Sequence, residues 1–406
     1  MDSNKELVIA SETGDLETVK QLLAKGADAS AMGPNSGALH CAASNGHREI
    51  VRLLLENGSD PNIADNQSFY PIHLAAAFKR TEIVQDLIDH GAKLDVVTSS
   101  LGTLLHVAAA NDFYPIFDIP QMKNAPIEAR DHEGKTAFNV AAAFGSYWMG
   151  RKLFEAGAKV DTVDDNGYTP LLNLLSRLDD AKIEHWQSTG SNSGVDVKYE
   201  IKNGCFRYIK PFKGGADELG RVLSLRDQYD ISFYDWGPTQ HRAYVDCIYF
   251  VEYLVKKGAD VNFKASNGNT PMIMACSAGD GETIAILAKK GADFNVRNEK
   301  GTMPLHYVSR TKRLDGLKAY FKHNENADAN VLDAKGWTAG HYLADMGGHA
   351  EMAKLLIKNG LDVTIGSTQE FAGVYPIGVT AKAVAEHWND DEMATLMTPK
   401  KDKTKV

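Results

Sequence analysis

The stretch SGALHCAASNGHREIVRLLLENGSDPN, Ser36 to Asn62, decides how the rest of the chain reads. Within EIVRLLLENG the apolar residues Ile50, Val51, Leu54 and Leu55 recur at helical spacing and make one buried stripe. Gly58 follows where a helix end wants a left-handed residue without a Cβ. The preceding ALHCAA run predicts a shorter inner helix, and Asp60 and Asn62 supply turn chemistry. A single helix pair of this kind cannot bury its own face, so it needs neighbours like itself.

The neighbours are present. Relatives of the glycine phrase recur as KGADAS at Gly26, NGSDPN at Gly58, HGAKLD at Gly91, AGAKVD at Gly157, KGADVN at Gly258, KGADFN at Gly291 and NGLDVT at Gly360. A second phrase keeps the same beat: ALHCAA at Leu39, PIHLAA at Ile72, LLHVAA at Leu105, PLHYVS at Leu305 and AGHYLA at Gly340. In NGYTPLLNLL, Thr169 can cap a helix whose first turn accepts Pro170. A period near 33 with a T-P-L-H-x-A-like phrase resembles the ankyrin-repeat family over nearly the whole chain. About ten units are expected, from a polar capping repeat near Asn4 to a degenerate one at TAKAVAEHWNDDEMATLM. The implied fold is an all-α repeat solenoid of helix-turn-helix units with β-turn fingers, and the resemblance implies partners on the concave side.

Composition narrows the function. The 406 residues are 43% hydrophobic and 24% charged with net charge −9, which disfavours wrapping a nucleic-acid backbone. Cys41, Cys205, Cys247 and Cys276 form no CxxC pair, so neither zinc nor a disulfide framework is expected, and a reducing, cytoplasmic compartment fits. MDSNKELVIAS lacks the features of a secretory signal, and no run is long enough to span a membrane. No phosphate loop, HExxH, GxSxG or dinucleotide fingerprint occurs, so no catalytic residue, cofactor or metal is expected. His40, His73, His106, His306 and His341 hold one slot of the period, which assigns them a structural hydrogen bond between units. Asn262 and Asn295 resemble substrates of an asparaginyl hydroxylase in eukaryotic cytosol, a modification rather than an activity.

Function is sought where the repeats deviate. At the finger slot before the Thr-Pro position stand Phe69, Tyr168 and Trp337. On the inner helices, two residues past the Ala-Ala pair, stand Phe78 and Phe144; in the third unit Asn111 is followed by Phe113 and Tyr114. Aromatic residues are the material of binding hot spots, so this surface is a candidate site. Pro115 and Pro120 fall where the third outer helix should run, which predicts a short, broken or replaced helix.

From Gly157 to Gly258 the step is 101 residues, one period plus 68. The chain therefore divides into repeats over 1–178, an insertion over 179–241 between the two helices of one unit, repeats over 242–398, and a basic tail over 399–406. The insertion carries VKYEIKNGCFRYI, a β-hairpin over 197–209 turning at Asn203-Gly204. Its register sets Tyr199 opposite Tyr208, Ile201 opposite Phe206 and Glu200 opposite Arg207. A marginal hairpin must cover something. Tyr199, Phe206, Arg207 and Tyr208, with Tyr234 and Trp236, are therefore the second set of candidate contacts; a helix is expected from about Asp217 to Arg226.

The expected function is a monomeric, non-enzymatic module that binds a protein partner, neither nucleic acid nor membrane. One alternative is an enzyme or pseudo-enzyme using Cys205, His185, His241 and Asp235 of the insertion. Loose single-chain arrays of this kind also resemble effectors that intracellular bacteria deliver into host cytoplasm, where such a protein would act by binding a host protein.

Overall fold

A computed structural model describes residues 3–98, 102–178, 199–202, 205–208, 239–347, 349–370 and 374–399, with only the backbone of 199–208 and 239–246 included. The chain forms two compact units, residues 1–179 with 246–406 and residues 180–245.

The first unit is an all-α repeat solenoid. Its inner row comprises Ser3–Thr13, Ala38–Asn45, Pro71–Ala77, Leu104–Ala110, Ala137–Phe144, residues 170–178, Pro271–Ala278, Pro304–Arg310, Ala339–Asp345 and Ala381–His387. The outer row comprises Leu16–Ala24, Arg48–Glu56, Thr81–Asp89, Tyr147–Glu155, Thr239–Lys256, Gly281–Lys289, Leu314–His323, Ala350–Lys358 and Asp391–Leu396. Successive inner helices pack on one another, as do successive outer helices, so every pair buries its apolar stripe against the next. In the third unit Pro115 and Pro120 lead two 3-10 helices, Tyr114–Asp118 and Pro120–Asn124, in place of one α-helix. Proline in the first turn of each lacks only an N–H that would be unpaired anyway. Ile116, Ile119 and Met122 still fill the core.

Two side-chain columns tie the units together. In one, Asn62 donates its amide to Gly91 O at 3.0 Å and accepts from Lys93 N at 2.9 Å, 31 residues on. Asn262 repeats this with Gly291 O and Asp293 N, and Asn330 with Gly360 O and Asp362 N. Asp161 stands in the same slot before Gly258. It accepts from Asp260 N at 3.2 Å but has no proton to give a carbonyl. Burial raises its pKa, the Asp260 N–H opposes this, and the Asp260 charge adds to it. Asp161→Asn is expected to stabilise the protein by about 1 kcal/mol, because the amide gains a carbonyl partner and loses a repulsion. Urea unfolding at pH 7 checks this; a variant no more stable than the parent would refute the analogy with Asn262.

The histidine column forms the second tie. His106 Nδ1 accepts from Thr103 N at 3.1 Å, which makes Nε2 the protonated nitrogen, and Nε2–H donates to Lys135 O at 2.9 Å. His341 does the same between Thr338 N and Val379 O, and His306 between Met303 N and the carbonyls of Val331 and Trp337. His40 reaches Phe69 O, while Asn139 takes over the slot in its unit with bonds to Thr136 and Thr162. Burial lowers the pKa of His40, His73, His106, His306 and His341, His73 to about 4. His40, His106, His306 and His341 are neutral ties between units, whereas His73, expected in the same role, is buried with neither ring nitrogen hydrogen-bonded.

The outer row carries an aromatic cluster where the repeat resumes after the inserted residues. Tyr147 lies 6.0 Å from Phe250 and 5.9 Å from Tyr253, and Phe138 lies 6.1 Å from Phe250. Phe250 reaches this position because the facing residue of the Tyr147–Glu155 helix is Gly150, where a Cβ would sit 2.1 Å from the ring.

In the second unit, Tyr199–Lys202 and Cys205–Tyr208 pair antiparallel with two residues between them, Tyr199 opposite Tyr208 and Lys202 opposite Cys205. The helix expected over Asp217–Arg226, and Tyr234 and Trp236, lie outside the described residues.

Candidate functional site

The inner helices end in a fixed way. The residue after each one's last turn adopts positive φ, as glycine at Gly46, Gly145, Gly279 and Gly347 and as Lys79, Asp112, Lys312 and Asn389 elsewhere. This bend leaves the residue just before it projecting from the inner-helix face. Phe78 and Phe144 occupy that slot two units apart and are 56% and 52% exposed. Between them stands Asn111, whose amide folds back on Val107 O. Ala77, Ala110 and Ala143, each half-buried, form the floor beside these rings.

The finger aromatics differ from these two. Phe69 and Tyr168 are half-buried, and their backbones take part in the ties between units. Phe69 N donates to Asp65, and Phe69 O receives His40. The Tyr168 hydroxyl accepts from Asn267 of the next finger at 3.1 Å. Trp337 corrects the expectation outright, being 1% exposed. Its ring is stacked on His341 at 5.7 Å and meets Tyr342 and Tyr375 edge to face. The finger slot directs a large ring between neighbouring fingers, so Trp337 is a core residue and no contact for a partner. Phe113 is likewise buried, below the 3-10 turn.

One residue of this surface escaped sequence reasoning. Trp388 ends the last inner helix in the slot of Phe78 and Phe144 and is 54% exposed. Counting that slot through AKAVAEHWN would have found it.

Nothing in the described residues assembles a reactive centre. No group of three or more potential metal ligands occurs among them. Cys247 and Cys276 are buried and Cys41 half-buried; burial pushes the Cys276 thiol well up and raises that of Cys41. No helix among the described residues is long and apolar enough to cross a membrane.

The family description of ankyrin repeats matches residues 7–98 and 241–324. Ankyrin repeat and SOCS box protein 16 of Mus musculus is 36% identical over 203 residues, 47% of this chain and 45% of that protein. Palmitoyltransferase AKR1 of Lachancea kluyveri is 29% identical over 50% of this chain and 22% of its own length. Palmitoyltransferase ZDHHC13 of Mus musculus is 36% identical over 46% of this chain and 30% of its own. The chain thus spans less than half the length of these curated relatives.

Proposed function

Because the chain is an ankyrin-repeat protein, we propose that it is a non-enzymatic scaffold that holds a partner protein on its inner-helix face, with Phe78 and Phe144 as apolar anchors. The observation that carries this reading is the exposure of two phenylalanine rings in one repeated slot. The same slot holds Asn45, Asn111 and Thr311 elsewhere, so the fold itself requires no ring there. Covering the exposed half of either ring would contribute about 1–1.5 kcal/mol to a complex. Phe69 and Tyr168, half-buried in the fingers, border this surface as secondary contacts.

The enzymatic names of two relatives belong to proteins of which this chain covers 22% and 30%. A nucleophilic cysteine needs a lowered thiol pKa and access, and burial raises the pKa at Cys41 and Cys276. This counts against a nucleophile at Cys41 or Cys276, while Cys205, His185, His241 and Asp235 of the alternative lie outside the described side chains. Cys41 and Cys276, present as thiols, suit a cytoplasm, the compartment this reading assigns.

The test is capture of partners from lysate by the parent chain and by the double variant Phe78→Ser, Phe144→Ser. Both side chains are exposed, so the melting temperature is expected to stay within about 2 °C. A partner retained by the parent should fall at least tenfold in the variant. Equal retention would end the inner-face reading. The role would then pass to the inserted unit, where Tyr199, Phe206, Arg207 and Tyr208 occupy paired positions. Deleting 180–240 tests that second surface.

A further inference from the structure

The last two units depart from the array at one point that the reading above does not use. Asp345 closes the helix Ala339–Asp345 in a slot that holds Ser44, Ala77, Ala110, Ala143 and Ser277 in other units. Its Oδ1 accepts from the Tyr375 hydroxyl at 3.2 Å and from the Trp388 indole N–H at 3.4 Å. His387 meets Tyr375 at 5.2 Å and Trp388 at 5.3 Å, both edge to face. The indole is therefore held in one orientation from two sides while more than half of it remains exposed.

The charge at this point is unbalanced. Both donors to Asp345 are neutral, and among the described residues it has no ion pair. Lys382, the basic residue of the following inner helix, is paired with Glu386 at 3.4 Å.

The preceding unit shows the same chemistry already filled. There Arg310 lies 5.4 Å from the centre of the Tyr342 ring, and the Tyr342 hydroxyl donates to Asp333 at 2.7 Å. A guanidinium, an aromatic face and a carboxylate tied to that ring form one set. Trp388 and Asp345 offer an aromatic face and a carboxylate bonded to it in different slots, Asp345 standing in the slot of Arg310 itself.

We propose that Asp345, Tyr375 and Trp388 form a cation-accepting site that takes the guanidinium of an arginine from a partner protein, laid on the indole with Asp345 as counter-ion. Trp is the strongest cation–π acceptor among the side chains. The planar guanidinium can stack and still donate to a carboxylate, which a lysine ammonium does less well. The apolar neighbours of such an arginine have surface to meet, since Met346 and Ile377 of the same segments are exposed. Neither Phe78 nor Phe144 takes part in this site, although Trp388 shares their slot.

The experiment uses the full chain labelled with 15N, following the indole Nε1–H resonance of Trp388, which is identified by its loss in Trp388→Phe. N-acetylarginine amide, N-acetyllysine amide and N-acetylglutamate amide are titrated separately. A saturable shift with the arginine amide is expected, at least threefold tighter than with the lysine amide and absent with the glutamate amide. Asp345→Asn keeps an oxygen to accept from Tyr375 and Trp388, so the fold and the resonance should survive while arginine binding weakens at least fivefold. An equal response to arginine and glutamate amides, an equal response to arginine and lysine amides, or undiminished arginine binding in Asp345→Asn would each overturn the assignment.

Discussion

Between pH 6.5 and pH 4 the protein is expected to lose most of its resistance to urea, the loss beginning above the range in which its carboxylates titrate. The cause is the histidine column. Burial lowers the pKa of His40, His73, His106, His306 and His341 in the folded chain, whereas the unfolded chain protonates them at the ordinary 6.5. Their contribution is fully present above pH 6.5. It is lost as pH falls toward the folded values, because the unfolded state binds protons that the native state cannot. His73, held near 4, withdraws about 3 kcal/mol by itself over that window. The folded rings cannot protonate cheaply, since Nδ1 of His106, His306 and His341 is already an acceptor from a backbone N–H. Asn139 shows that an amide can fill the slot. His73→Asn should therefore flatten the fall in urea midpoint between pH 7 and pH 4.5, and a slope identical to the parent's would contradict this account. Asp86, held low by Arg48 and Arg52 against its own burial, adds its loss only in the carboxylate range.

The second large effect is expected at Gly150. A Cβ there would lie 2.1 Å from Cζ of Phe250 and under 3 Å from two further ring atoms. Phe250 is fully buried and held by Phe138 and Tyr147, so the ring cannot swing aside without disturbing both. Gly150→Ala should cost about 3 kcal/mol, the upper range for overpacking, although alanine is the better helix former by about 1 kcal/mol. Phe250→Leu alone leaves a gap and destabilises. Together the two changes should cost clearly less than their sum, since the shorter side chain makes room for the methyl group. Additive losses in urea unfolding would show that the contact is not the reason for the glycine.

Most of the fold was legible because its signals are periodic. Each unit repeats the same demand on the same slot, so His106 and His341 could be assigned to ties between units before any coordinates. The proline-led third unit was also readable, since a missing N–H has one structural meaning. The site was less legible, and the reason is geometric. A finger aromatic and an inner-helix aromatic look alike in sequence. The first slot sends Trp337 between fingers, and the second leaves Phe78 and Phe144 at the surface. Only the direction of the Cα–Cβ bond separates them, and the period does not encode it. Trp388 was missed for a different reason, because the last unit has lost most of the phrase that marks the slot.

The unit bearing the inserted residues has a cost that its helices do not display. In the repeat of Ala38–Asn45 and Arg48–Glu56, two residues, Gly46 and His47, join the inner helix to the outer one. Between Leu178 and Thr239 the same connection is made by sixty residues of chain. Closing a chain through more residues costs more configurational entropy, about 0.6 kcal/mol per doubling of a flexible length. An opposing term sits immediately beyond the junction. Phe250, Tyr253 and their partners Phe138, Tyr147 and Phe154 bury more aromatic surface than an aliphatic stripe would. The aromatic density of this one outer helix thus acts as a clasp where the repeat resumes, holding it to Phe138, Tyr147 and Phe154 of the unit before the inserted residues.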